Sequence, residues 1–297
     1  MMFDVVIIGA GPAGISASLY TKRANLSVLV LYSGESNVGE AHLIDNYYGF
    51  PGGIAGKDLY ENGIEQAKKL GVEVKNVEVL GVHPKEDETF MVKTVEGNYD
   101  TKTIILATGN RKVKPNIPGI RKLEGRGVSY CAICDAFFYR KKKVAVLGNG
   151  KFALSEAEEL AHVASDVTIL TDGNESPDTE FKVETRKIKE ICGEEKISKV
   201  VFEDGEEFEL DGLFVALGEA GAGDFANNLG IIQDGENIRV KEDMQTNVKG
   251  AYACGNVTGG LLQVCKAVYE GAVAGLSAVQ YVRGKNEVSK WQWYIVC

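Results

Sequence analysis

Apolar positions along the chain follow two periods, and their alternation predicts the elements. Phe3 to Ile8 is a short β-branched run that breaks into Gly9-Ala10-Gly11-Pro12-Ala13-Gly14, after which Ile15 to Arg23 carries helical spacing. Ser27 to Tyr32 reads as a second strand. Strand, turn, helix, strand is the opening of a dinucleotide-binding fold, with Gly9 for the turn, Gly11 for close approach of a phosphate and Gly14 for helix-to-strand packing. The helix start would hold a pyrophosphate. A glycine fingerprint alone is a weak signal, and its place directly after an amino-terminal strand strengthens it.

The same grammar returns later. Lys143 to Leu147 reads as a strand, Gly148 to Ala153 as the turn, Leu154 to Val163 as a helix and Asp166 to Leu170 as the next strand. Between the two units, Tyr60 to Leu70 predicts a helix, Val72 to Val82 and Phe90 to Val95 predict strands, and Thr103 to Ala107 is a buried strand closed by Thr108-Gly109. Beyond them, Lys199 to Glu209 alternates like a hairpin, Leu213 to Leu217 repeats the buried strand before Gly218, and Ala251 to Ala253 precedes Gly255 and a helix from about Leu262 to Tyr281. The expected fold class is α/β, with two Rossmann-like (FAD/NAD(P)-binding) domains, the second inserted into the first. The first would take residues 1–110 and 219–297, the second residues 111–218.

Composition narrows the function. Lys plus Arg total 33 against 42 acidic residues, a net charge of −9 that argues against a general nucleic-acid binder. There is no apolar run long enough for a membrane span and no basic start of a signal peptide, so the expected location is the cytoplasm. Glycine is abundant, with 35 residues of 297, against a usual share of about 7%. Such a chain needs tight turns and close backbone approaches.

Six cysteines are too few for a disulfide scaffold. Two of them stand in Cys131-Ala132-Ile133-Cys134-Asp135, a spacing that closes a disulfide able to exchange with others. Half of a zinc site is the competing reading. It needs partners at metal spacing, and Cys192, Cys254, Cys265 and Cys297 are isolated while His42, His83 and His162 are scattered. Asp135 could carry a proton for a departing thiolate, or simply cap a turn.

With these motifs the chain resembles the low-molecular-weight thioredoxin reductases, flavoproteins of the two-domain disulfide reductase group. The resemblance rests on Gly9 to Gly14, Asp45-Asn46-Tyr47 with Gly49-Phe50-Pro51, Ala107-Thr108-Gly109, Cys131 to Asp135 with Phe137-Phe138-Tyr139, Gly255-Asn256 and Gln263, in the family's order over nearly the whole chain. It implies FAD held by Gly9, Gly11, Pro12, Ala13, Gly14, Glu35, Asn46, Ala107, Thr108, Gly109, Gly255, Asn256, Gln263 and Val264. It also implies that Cys134 touches the flavin ring, that Cys131 exchanges with the substrate disulfide, and that Asp135 is the acid or base. The expected assembly is a homodimer, and the expected acceptor is thioredoxin or a similar small dithiol protein. Asn256 stands where the family usually has an Asp that binds the flavin's ribityl chain. Asn keeps the hydrogen-bonding oxygen and loses the charge.

The second glycine turn departs from the family. NADPH-dependent members have small polar residues at this helix start and a His-Arg-Arg cluster after the next strand, whereas here Lys151 and Phe152 open the helix and Thr171-Asp172-Gly173 follows the strand. Asp172 would repel a 2′-phosphate, and Phe152 is bulky where a pyrophosphate should meet bare backbone. Either Asp172 accepts the ribose 2′-hydroxyl of NADH, or the inserted domain has lost nucleotide binding, which is the favoured reading. Reduced ferredoxin then becomes the expected donor, because a flavin accepts electrons singly. Such chains resemble the ferredoxin-dependent flavin thioredoxin reductases. Docking an acidic ferredoxin would need a local basic surface, for which Arg111, Lys112, Lys114, Arg121, Lys122, Arg126 and Arg140 to Lys143 are candidates. An NAD(P)H-dependent reductase, a reductase-like ferredoxin NADP oxidoreductase and a redox sensor holding FAD without turnover are the alternatives. The tail Lys290 to Cys297 carries both tryptophans, and Trp293 is expected to stack on the isoalloxazine unless the tail pairs as a strand at an interface.

Overall fold

The computed structural model describes residues 2–34, 36, 38–39, 41–109, 115–130 and 132–284, apart from the side chains of Ile133 and Cys134. The expected sites Glu35, Cys131, Trp293 and the basic residues Arg111, Lys112 and Lys114 lie outside the described residues. So does Cys297. The chain divides into two compact units, residues 1–110 with 229–297, and residues 111–228.

The first unit begins with β1 (Met2–Ile8), α1 (Pro12–Arg23), β2 (Val28–Tyr32), α2 (Gly56–Lys69), β3 (Glu73–Asn76), β4 (Val79–Pro84), β5 (Phe90–Thr94) and β6 (Gly97–Leu106). Strand β1 lies between β2 and β6 and is parallel to both. The expected strand over Val72–Val82 is two strands. Its first part pairs in parallel with β2, and its second part turns antiparallel onto β5, so the run breaks where the pairing partner changes. Helix α2 starts at Gly56 rather than Tyr60.

The second unit contains β7 (Val128–Ser129), α3 (Ala132–Asp135), β8 (Lys143–Leu147), α4 (Lys151–Ala161), β9 (Asp166–Leu170), β10 (Lys182–Glu184), β11 (Ile188–Gly193), β12 (Ile197–Phe202), β13 (Glu207–Glu209), β14 (Gly212–Val215) and α5 (Ala222–Asn228). Its parallel sheet runs β10-β9-β8-β14-β7, and β11-β12-β13 form an antiparallel meander. Successive residues of β8 point to opposite faces, and both faces are buried. Ala145 and Leu147 join the meander's Ile191, Val200 and Phe202, while Val144 and Val146 join Phe152, Ala157 and Leu160 of α4. The unit is thus three layers. It ends at Asn228, not at the expected residue 218, because Ala220 packs on the α4 layer and α5 packs against α3.

The chain returns to the first unit through the short β15 (Gln233–Asp234) and β16 (Asn237–Ile238), then β17 (Ala251–Ala253) and α6 (Val264–Val282). Strand β17 pairs in parallel with the carboxyl end of β6, opposite β1. One face of this sheet, Val5, Ile7, Val28, Val30 and Ile105, packs with α1, α2 and α6. Helices α1 and α6 meet through small residues. A Cβ on Gly271 would overlap the Ala13 carbonyl, and one on Gly275 would stand 2.7 Å from the Ala17 carbonyl oxygen. The Ser16 hydroxyl donates to the Val268 carbonyl at 2.7 Å across the same contact.

Two glycine substitutions in helices should therefore differ in sign. Gly271→Ala meets backbone that cannot yield and should lower stability by about 1–3 kcal/mol despite its better helix propensity. Gly63→Ala in α2, whose Cβ would meet only Ile15 at 3.6 Å, should raise stability by about 0.5–1 kcal/mol. Denaturant unfolding of both variants measures this.

Candidate functional site

The carboxyl ends of parallel β1, β6 and β17 lie side by side, the place where open α/β sheets bind ligands. There the chain cannot carry side chains. Gly9 has φ +114°, and a Cβ on it would overlap the Ala107 carbonyl; a Cβ on Gly14 would overlap the Gly9 carbonyl. Gly11 is different, since its Cβ would meet only the Ser36 hydroxyl at 3.5 Å. Gly9 and Gly14 thus serve packing, while Gly11 leaves room beside the backbone. Gly11 is also the extended N-cap of α1, with no side-chain cap and Pro12 at the first helical position, so the amides of Ala13 and Gly14 open the helix without a side-chain acceptor. Helix N-termini of this kind bind phosphate groups.

The remaining candidates of this unit gather at the same end. Gly255, with φ +81°, would bring a Cβ to 2.8 Å from the Ala13 Cβ, so its turn lies against the first turn of α1. Gly109 has φ +75° and open space around it, and Ala107 is held by its amide donating to the Ile8 carbonyl at 2.8 Å. The Asn46 amide donates to Gln263 Oε1 at 3.1 Å, tying the loop over Ile44–Ile54 to the start of α6, where Gln263 is the N-cap and Val264 follows. The residues fit a dinucleotide: a bare phosphate cradle, uncapped helix amides and polar side chains around one sheet edge.

Two charged residues unnoticed in the sequence hold this turn. Lys266 Nζ donates to the carbonyls of Gly255 (2.8 Å) and Gly259 and to Thr258 Oγ1, and pairs with Glu270 at 2.9 Å. Glu270 in turn accepts from the Gly255 amide at 2.9 Å. The signal was present, opposite charges four apart on an otherwise apolar helix. Cys254, just before the turn, is fully buried, and burial first, then the Glu270 charge, pushes its thiol well above the usual range.

In the second unit, Ala132–Asp135, which includes the second cysteine of the motif, forms α3, a single helical turn after the edge strand β7. The buried Ser129 hydroxyl donates to Asp135 Oδ2 at 2.7 Å and orients that carboxylate. At the other end of the turn the Ala132 amide donates to Glu156 Oε2 at 2.7 Å. Glu156 is the one charged side chain that is fully buried among the described residues, at 6% exposure. Its position was readable: with Phe152 and Leu160 it forms an i, i+4, i+8 row on the buried face of α4. After the turn, Phe137 and Phe138 are exposed, with Arg140 over the Phe137 ring, while Tyr139 packs edge-on against Phe214. Arg121, Lys122, Arg126 and Arg140 to Lys143 are all exposed. Among the described residues no group of His, Cys, Asp and Glu could hold a metal.

The second glycine turn corrects one expectation. Its backbone repeats the first: Gly148 has φ +151° with a Cβ that would overlap the Ala216 carbonyl, and Gly150 is the extended, uncapped N-cap of α4. Phe152 does not intrude there, since its ring is buried in the core beneath α4. The Asp172 carboxylate is tied to its own loop. Its Oδ1 accepts from the Ile188 amide at 2.8 Å and its Oδ2 from Lys187 Nζ at 3.0 Å, so the carboxylate closes a turn between β9 and β11.

The model of the pyridine nucleotide-disulphide oxidoreductase family matches residues 3–271. The chain is 34% identical to a thioredoxin reductase of Aquifex aeolicus over 98% of its own length and 97% of that protein. Among solved structures, it is similar to the atypical thioredoxin reductase TRi from Desulfovibrio vulgaris Hildenborough, with a TM-score of 0.91 and 41% identity over 96% of this chain and 99% of that one. It is also similar to a ferredoxin-flavin thioredoxin reductase from Clostridium acetobutylicum, with a TM-score of 0.72 and 35% identity over 96% and 99% of the two chains.

Two outcomes follow from this geometry. Glu156→Ala leaves the buried Ala132 amide without an acceptor and should cost about 1–3 kcal/mol in denaturant unfolding, whereas Glu156→Gln, which keeps a carbonyl oxygen, should cost less. Cys254 should resist iodoacetamide at pH 8 in the native protein and react once the chain is unfolded, as peptide mass mapping would show.

Proposed function

The chain belongs to the pyridine nucleotide-disulphide oxidoreductases, among the low-molecular-weight thioredoxin reductases, and from that premise we propose that it reduces thioredoxin, or a similar small dithiol protein, with electrons from reduced ferredoxin. Its cofactor is FAD. FAD supplies an acceptor that takes electrons one at a time and passes them on as a pair. The residues that would hold it are Gly9 to Gly14, Asn46, Ala107 to Gly109, Gly255, Asn256, Gln263 and Val264, with Glu35 and Trp293 as further contacts. We place the enzyme in the cytoplasm as a homodimer. Among the described residues no helix is long and apolar enough to cross a membrane.

The observation that carries this reading is the dithiol turn set between two carboxylates, Glu156 on its first amide and Asp135 held by Ser129. The Cys131 thiolate attacks the partner's disulfide, forming a mixed disulfide and releasing the partner's other sulfur as a thiolate. The Asp135 carboxylate takes the proton that the Cys134 thiol loses and passes it to this thiolate. Cys134 then attacks the Cys131 sulfur, closing the Cys131–Cys134 disulfide and freeing the partner as a dithiol. Two electrons, one from each of two reduced ferredoxins, and two protons restore the enzyme's dithiol. The exposed Phe137 and Phe138 beside the turn suit a protein substrate rather than a small disulfide, because aromatic side chains anchor protein interfaces.

The ferredoxin donor is supported by what surrounds the second turn. The strand-end acid that would take a ribose hydroxyl is bound to Ile188 and Lys187, and no His-Arg-Arg cluster follows β9. The exposed cations from Arg121 to Lys143 offer an acidic partner a surface on a chain whose net charge is −9.

Mixing the oxidised protein anaerobically with NADPH or NADH should leave the flavin absorbance unchanged, and reduced ferredoxin should bleach it. Rapid bleaching by either nucleotide overturns the donor assignment. Cys134→Ser should abolish thioredoxin reduction, while Cys131→Ser should keep a flavin that reduces normally without turnover. Ferredoxin-dependent reduction of NADP that survives Cys134→Ser in full would point instead to a ferredoxin NADP oxidoreductase.

A further inference from the structure

Lys266 sits where an isolated helix would not choose a cation. It occupies the third position of α6, whose first turn has no acidic residue, so its charge faces the positive end of the helix macrodipole. Its Glu partner lies four residues later, the less favourable order for a helical ion pair. Both side chains are largely removed from water, at 14% and 12% exposure, where an ion pair loses hydration that its attraction need not repay. Helix stability therefore does not account for the pair. Its bonds run outward, to the turn Gly255–Thr258. The turn is entered at Gly255 with φ +81° and left at Gly259 with φ +73°, and between these left-handed hinges Lys266 and Glu270 take hold of both carbonyls, the Gly255 amide and the Thr258 hydroxyl. The same turn carries Asn256 and lies against Ala13 at the start of α1.

We propose that Lys266 and Glu270 are positioning residues of the flavin site, which lock the Gly255–Thr258 turn and set the local charge against which the flavin is reduced. The inference rests on the reading that Gly255 and Asn256 hold FAD. A flavin gains negative charge on reduction, so a nearby cation favours the reduced form and a nearby anion the oxidised form. With Asn in place of the usual acid at position 256, the balance at this turn is neutral: one Lys against one Glu.

The test is the midpoint potential of the flavin in the holoprotein, measured by equilibration with reference dyes, together with flavin retention on gel filtration. Lys266→Met should lower the potential and weaken FAD retention at least about tenfold, because buried carbonyls lose their donor. Glu270→Gln, which keeps an acceptor for the Gly255 amide, should raise the potential. The double variant should return towards the wild-type value, and Lys266→Arg should stay near it. A purely structural lock would not give opposite signs, so shifts in the same direction, or none, overturn the proposal. Should Lys266→Met fail to fold, Glu270→Gln and the double variant decide alone. Asn256→Asp separates the two layers of argument: it should lower the potential. If it does so while the Lys266 and Glu270 variants leave the potential unmoved, the inference falls and the flavin-site reading stands; if Asn256→Asp is also silent, both fall.

Discussion

The approach of backbone to backbone around α1 governs the first unit. Gly9 brings the phosphate turn against Ala107, Gly14 brings α1 against Gly9, and Gly271 and Gly275 bring α6 against Ala13 and Ala17. Each contact excludes even a methyl group, so the helix start is fixed from the sheet side and from the α6 side at once. A cradle for a charged ligand must be rigid before the ligand arrives, since ordering it on binding would reduce affinity. Close packing supplies that rigidity without any polar side chain at the phosphate position, which stays free for the ligand.

The second unit keeps this backbone and changes its surroundings. Gly148 repeats the left-handed turn of Gly9, and Gly150 repeats the extended N-cap of Gly11, but Ala153 stands where the first turn has Gly14. Packing by itself requires the glycine of this turn, because a Cβ on Gly148 would overlap the Ala216 carbonyl just after β14. Whether such a turn serves a ligand depends on side chains at its rim, and here the rim acid, Asp172, stabilises a loop.

Much of this was legible from residue order. Glycine placement after β-branched runs marked both turns, because few other residues reach φ near +114° or tolerate a carbonyl at contact distance. Judged by its place in the glycine turn, Phe152 looks obstructive; judged by its helical row with Glu156 and Leu160 it belongs to the face of α4 that points into the core. The run Val72–Val82 reads as one strand because its apolar residues continue through a change from parallel to antiparallel partner, which hydrophobic pattern does not encode. The helix α5 does not stand out in the sequence because seven residues, barely two turns, are too few to establish a period. Ser129 and Asp135 are six residues apart, and nothing in that spacing announces a hydrogen bond until β7 and α3 fold back on each other.

Where charge is buried is the last clue. Among the described residues no buried polar side-chain atom lacks a partner, so the chain does not tolerate stray polarity in its core. Yet it buries a carboxylate on the first amide of the dithiol turn and an ion pair on the turn that carries Asn256. Burying charge rarely adds stability over a well-packed apolar alternative, and for a pair it often subtracts. Its persistence at one short turn in each unit, and not across the broad apolar faces of either sheet, fits turns selected for what they do to neighbouring chemistry. A fixed charge in a poorly hydrated setting acts on that chemistry without reorganising, which is the property a redox site needs when the same groups must serve both its oxidised and its reduced state.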